Sequence, residues 1–103
     1  MKHYNKLVRD KIPSIIKSSG GVAHTKILDN DSDYLEALKR KLLEEAKEVQ
    51  QTPMPEELAD VIEVVRALAK HLGTSMQEIE KLRVKKNHTN GSFDKRILLE
   101  STD

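Results

Sequence analysis

The chain contains no cysteine, which excludes disulfides, thiolate nucleophiles and cysteine metal knuckles and leaves the compartment open. Net charge is nearly absent as well: 18 basic and 17 acidic residues leave +1, so no global field draws the chain to a nucleic-acid polymer or an anionic membrane. Aromatics make up 3% and include one phenylalanine, too few for base stacking. No apolar stretch approaches the roughly 20 residues needed to span a bilayer, and Met1 to Lys6 leads into no signal-peptide apolar region. A cytoplasmic setting is expected. Gly20-Gly21 carries neither the lysine pattern nor the strand-to-helix context of a phosphate-cradling loop. His3, His24, His71 and His88 show no metal-ligand spacing, and each reads as a surface or packing residue.

What is present points to helices. The apolar fraction of 37% is carried by Leu, Ile, Val and Ala, and the charged fraction of 34% suits amphipathic helices better than a sheet sandwich. At 103 residues only one domain, 1–103, has room for a core. That core is thin in large side chains, so a second copy is a natural source of further burial, and a homodimer or homotetramer is expected.

Pro13 opens a short helix through Lys17, which Gly20-Gly21 stops. Residues 22–28 and 95–100 are short and β-branched, and are read as a small two-stranded pairing. From Asp31 or Ser32 as cap, a helix runs to about Gln51, where Thr52-Pro53-Met54-Pro55 breaks it. The next runs to about Leu72 and ends at Gly73; Ser75 with Glu78 forms a capping-box pattern that opens a last helix to about His88. Asn90-Gly91 is a turn. The expected fold is therefore mainly α, an antiparallel hairpin joined by further helices.

The hairpin carries the chemistry. On a wheel of 100° per residue with Tyr34 at zero, Leu38, Val49, Leu42, Leu35 and Ala46 fall between about 40° and 120°, with Glu45 at about 20° and Glu48 at about 320°. On the following helix, with Leu58 at zero, the apolar arc runs from about 240° through zero to 40°; Glu57 lies inside it and Asp60 near its edge at about 200°. In an antiparallel hairpin Glu48 and Glu57 lie about one turn from the loop and Glu45 and Asp60 about two turns. Four partly desolvated carboxylates so close together repel strongly unless protonated or bound to a cation. A hard divalent ion, magnesium or manganese, suits such oxygens. A solvated charged hairpin, supported by pairs such as Lys41 with Glu44 or Glu45, fits the spacing equally well.

The stretches Glu44-Glu45-Ala46-Lys47-Glu48 and Glu57-Leu58-Ala59-Asp60 resemble the Glu-Glu-x-x-Glu and Glu-x-x-Asp motifs of the MazG-like all-alpha nucleotide pyrophosphohydrolases. The opening Tyr4-Asn5-Lys6-Leu7-Val8-Arg9-Asp10-Lys11-Ile12-Pro13 resembles the start of a short subgroup related to phosphoribosyl-ATP pyrophosphohydrolases, so the likeness covers nearly the whole chain. It implies an all-alpha bundle that hydrolyses a nucleoside triphosphate or related nucleotide to monophosphate and pyrophosphate, as in nucleotide house-cleaning. It implies magnesium held by Glu45, Glu48, Glu57 and Asp60, with Glu45 and Glu48 the catalytic candidates and Glu44 in an outer or structural role. Where the subgroup ends in a basic residue and Arg-Gly-Gly-Phe, this chain has Asn90-Gly91-Ser92-Phe93. Asn90 supplies neither the charge nor the forked donors of arginine.

Candidates for the substrate phosphates are Arg83, Lys85 and Lys86 near the end of the last helix, and Lys6 and Arg9 in the basic opening segment. For the first group a solvated basic helix end is an equally good reading. The rival from another class is a non-catalytic helical interaction module whose acids set register.

Overall fold

The computed structural model describes residues 2–103 and is mainly helical: α1 Ile12–Ser18, α2 Asp31–Gln51, α3 Pro55–His71 and α4 Met76–Asn90. Each boundary has a local cause. Pro13 and Pro55 sit in the first turns of α1 and α3, where a missing N–H costs nothing. The cap of α2 is Asn30, one residue ahead of the expected Asp31 or Ser32; its side-chain oxygen accepts from the Asp33 N–H at 3.1 Å. Asparagine competes there because its amide oxygen reaches the third residue of the helix from an extended backbone. Ser75 caps α4 as expected, accepting from the Glu78 N–H at 3.2 Å. At the end of α3 Gly73 takes φ +80°, which lets Thr74 N–H reach back to the Ala69 carbonyl at 2.8 Å. Helix α4 continues through Asn90, two residues past the expected His88, before Gly91 turns the chain at φ +87°.

The two-stranded pairing does not form. Among the described residues there is no strand, and 22–28 and 95–100 run as irregular chain. Leu28 is half-buried, but Val22, Ile27, Ile97, Leu98 and Leu99 are exposed; β-branched composition without a partner face to bury it is a weak determinant of pairing.

The core lies between α2 and α3, whose hairpin dominates the packing. The helices are antiparallel: Tyr34 at the start of α2 meets His71 at the end of α3, ring edge to face at 5.3 Å, while Glu45 comes level with Glu57 and Asp60. The buried core residues are Ala37, Leu38, Val64 and Ala69. Ala37 lies outside the expected stripe, and Ala46, inside it, is exposed. The cause is the opening segment: Asn5, Lys6 and Leu7 line a small cavity with Ala37, Arg40, Lys41 and Glu44, covering the flank of α2 that a two-helix picture leaves bare. On α3 the buried face likewise turns toward the acids, leaving Leu58 and Ile62 more than half exposed.

Helix α4 packs against α3 alone and has no buried residue. The result is elongated, 58 × 31 × 25 Å with a radius of gyration of 17.8 Å, against about 13 Å for a compact domain of this length. Among the described residues no helix is long and apolar enough to cross a membrane.

Candidate metal centre

Three of the four expected acids meet. Glu45 from α2 and Glu57 and Asp60 from α3, all half-buried, each place an oxygen within 4.8 Å of the others. The hairpin produces this directly. Glu57 and Asp60 are three apart on α3 and so share a face, and the short loop from Thr52 to Met54 brings Glu45 level with them. In a six-coordinate shell of 2.0–2.1 Å bonds adjacent ligands are about 2.9 Å apart and opposite ones about 4.2 Å, so the three oxygens would draw closer together around a hard cation. All donors are carboxylate oxygens, the set that magnesium or manganese favours over softer ions.

The electrostatics show a site short of positive charge. Partial burial pushes the Glu57 carboxyl above the usual range, and the charges of Asp60, Glu48, Glu45 and Glu56 push it the same way. Glu48 stands apart from the group of three. Its side chain is exposed on α2, yet its charge reaches Glu57, so it lies at the rim. Glu44 behaves oppositely. Burial raises its carboxyl, but a hydrogen bond from Lys6 and the charges of Lys41 and Lys6 together outweigh burial and hold it below the usual range.

Counter-charges come from two sources. Lys41, one turn before Glu45 on the same helix, is 3.2 Å from Glu45 and 3.5 Å from Glu44. The opening segment supplies the others: Lys6 Nζ reaches Glu44 at 3.2 Å, and Arg9 Nη2 reaches Asp60 Oδ1 at 2.8 Å. Lys6 also lies 5.5 Å from the Tyr4 ring centroid. Lys6 and Arg9, expected as phosphate ligands, are thus bound to acids of α2 and α3. The signal that foretells this is charge balance: several acids gathered at one end of a hairpin require cations from elsewhere in the chain.

The basic residues of α4 are not brought to the acids. Arg83 pairs with Glu80 on its own helix, Lys85 and Lys86 are exposed, and α4 makes no packing contact with α2. Lys85 borders a shallow surface depression with Glu80, Lys81, Val84, His88 and Thr89, on a different element from the acid group. Asn90 closes α4 and is exposed.

Comparison with protein-family models, curated proteins and solved structures gives no match.

Proposed function

We propose that this protein is a magnesium-dependent nucleotide pyrophosphohydrolase of the MazG-like all-alpha kind, which cleaves a nucleoside triphosphate or related nucleotide between the alpha and beta phosphates. The observation that carries the reading is the convergence of Glu45, Glu57 and Asp60 from two helices to within 4.8 Å of one another, with the Glu57 carboxyl raised by burial and then by its acidic neighbours. The motif resemblance and the divalent preference of an all-carboxylate donor set support it.

Glu45, Glu57 and Asp60 would hold the ion, and Glu48 at the rim would join them or act on the water. A bound divalent ion offsets polyphosphate charge and makes a water more acidic. The carboxylates of this chain then orient the attacking water, and one of them accepts its proton while the bond to the departing pyrophosphate breaks. Lys6, Arg9 and Lys41 ring the acids and offer cationic donors to phosphate oxygens. Arg83, Lys85 and Lys86 reach a nucleotide only if α4 is set against the acids of a second copy. A homodimer or homotetramer fits the exposed Leu58, Ile62, Leu72, Leu82 and Val84, which in an isolated chain face water.

The test is direct. Purified protein with magnesium and a panel of ordinary and modified nucleoside triphosphates is followed for monophosphate and pyrophosphate. Turnover that disappears on chelation and falls on Glu45→Gln or Glu57→Gln supports the proposal; no turnover of any substrate, or turnover indifferent to both variants, refutes it. The helical interaction module remains the second reading, favoured by the exposed apolar faces of α3 and α4. It predicts self-association or helix binding that ignores divalent ions.

A further inference from the structure

The pair between Arg9 and Asp60 spans 51 residues and joins the irregular opening segment to the acid group. A guanidinium at 2.8 Å from Asp60 Oδ1 gives that carboxylate the positive partner its neighbourhood lacks. Glu45 has Lys41 at 3.2 Å, but Lys41 belongs to α2 and remains beside the site whatever binds there. Arg9 differs in three respects. It sits on a segment without regular structure, ahead of α1. Its side chain is 59% exposed. Its only side-chain hydrogen bond among the described residues is the one to Asp60.

We propose that Arg9 is the resident counter-ion of the acid group, holding Asp60 until a divalent cation displaces it, so that metal entry is tied to release of the opening segment. The inference rests on the metal reading of Glu45, Glu57 and Asp60 given above. A carboxylate already matched by a guanidinium is a weaker donor to a dication, and a dication beside Asp60 repels the guanidinium at short range. One of the two leaves, and Arg9 is the one on irregular chain with a single side-chain hydrogen bond, its charge acting beyond that only on Glu63, which Arg66 already pairs. Its release also loosens Lys6, three residues earlier, which holds Glu44 through an exposed pair. Both cations then become available to an anionic ligand such as a polyphosphate, at the moment the metal is in place to bind one. Arg9 is thus a positioning residue whose two partners, carboxylate and phosphate, are exchanged by the metal.

Titration calorimetry with manganese alone, without nucleotide, tests this on the full chain. Arg9→Gln is expected to bind manganese about two- to fivefold tighter than the wild type, the span that an exposed ion pair is worth. Arg9→Lys, which keeps the charge and loses the fork, should fall between them. Lys11→Gln removes one positive charge from the same segment but breaks no ion pair among the described residues, and should bind as the wild type does. Equal or weaker binding by Arg9→Gln, or equal tightening by Lys11→Gln, overturns the proposal. A second measurement needs no variant: trypsin should cut the wild type between Lys6 and Leu7 faster when manganese is bound, and an unchanged rate in protein that binds manganese overturns it. If neither the wild type nor Arg9→Gln binds manganese at all, the metal reading falls along with it.

Discussion

Leu38→Ala probes the hairpin on which the acid group depends. Leu38 is 3% exposed and is the largest of the four buried core side chains, the others being Ala37, Val64 and Ala69. Truncating a buried leucine to alanine removes its transfer free energy and leaves a cavity, together about 2–5 kcal/mol. Here the lower half of that span applies, since α2 is covered only by α3 and the opening segment and both can close in, giving about 2–3 kcal/mol. A domain of this length has about 5–15 kcal/mol in total, so the variant folds with a large part of its margin gone. Each 1 kcal/mol lowers the melting temperature of such a domain by about 4–8 °C, which puts the expected drop at roughly 10–20 °C. Thermal circular dichroism and urea unfolding, with an unchanged urea slope, measure it. A loss below about 1 kcal/mol refutes the packing account. It means either that Leu38 is not held between α2 and α3 in solution or that burial by a second copy dominates stability, and the second case shows as a melting temperature that rises with protein concentration.

Other expectations follow from the site and the caps. Glu57→Gln removes one charge from the crowd of Asp60, Glu48 and Glu45, so in chelator its melting temperature should exceed that of the wild type, while the rise on adding magnesium should vanish; an unchanged magnesium response counts against Glu57 as a ligand. Glu44 is held below its ordinary range in the folded chain, so its contribution to stability is complete above the ordinary glutamate pKa of about 4.3 and is lost as pH falls through the lowered value. The gap in urea midpoint between wild type and Glu44→Gln should accordingly shrink on acidification; a gap that widens reverses the assigned sign. Ser75→Ala deletes the cap bond to the Glu78 N–H and should cost about 1 kcal/mol. Because α4 packs only on α3, that loss should show first as fraying of residues 76–79 in NMR chemical shifts.

The helices were legible because their signals are local. Pro13, Pro55, Gly73 and Ser75 act within one turn of where they stand in the sequence, and the structure uses each as its chemistry requires. The meeting of Glu45, Glu57 and Asp60 was legible too, since three residues of loop between two periodic helices leave little freedom of register, but Glu48, read as level with Glu57, stays exposed outside the group. What the wheel could not supply was the third body against α2. Ala37 is buried and Ala46 exposed because the opening segment covers one flank, and no periodicity within α2 reports a neighbour more than 30 residues away. The same blindness turned Lys6 and Arg9 into phosphate candidates without showing the acids they meet, and let residues 22–28 and 95–100 pass for strands that have no sheet to join.

The opening segment also differs from the rest of the molecule in how it comes to be folded. The hairpin closes over a three-residue loop, so its formation costs little chain entropy and should be fast. Lys6 and Arg9 must close loops of 38 and 51 residues to reach Glu44 and Asp60, and only exposed ion pairs and the cover over Ala37 reward them. The segment should dock last, on a hairpin already built, and open first, with hydrogen exchange at residues 5–9 running far ahead of global unfolding. In that opened state the acids would stand assembled and uncovered.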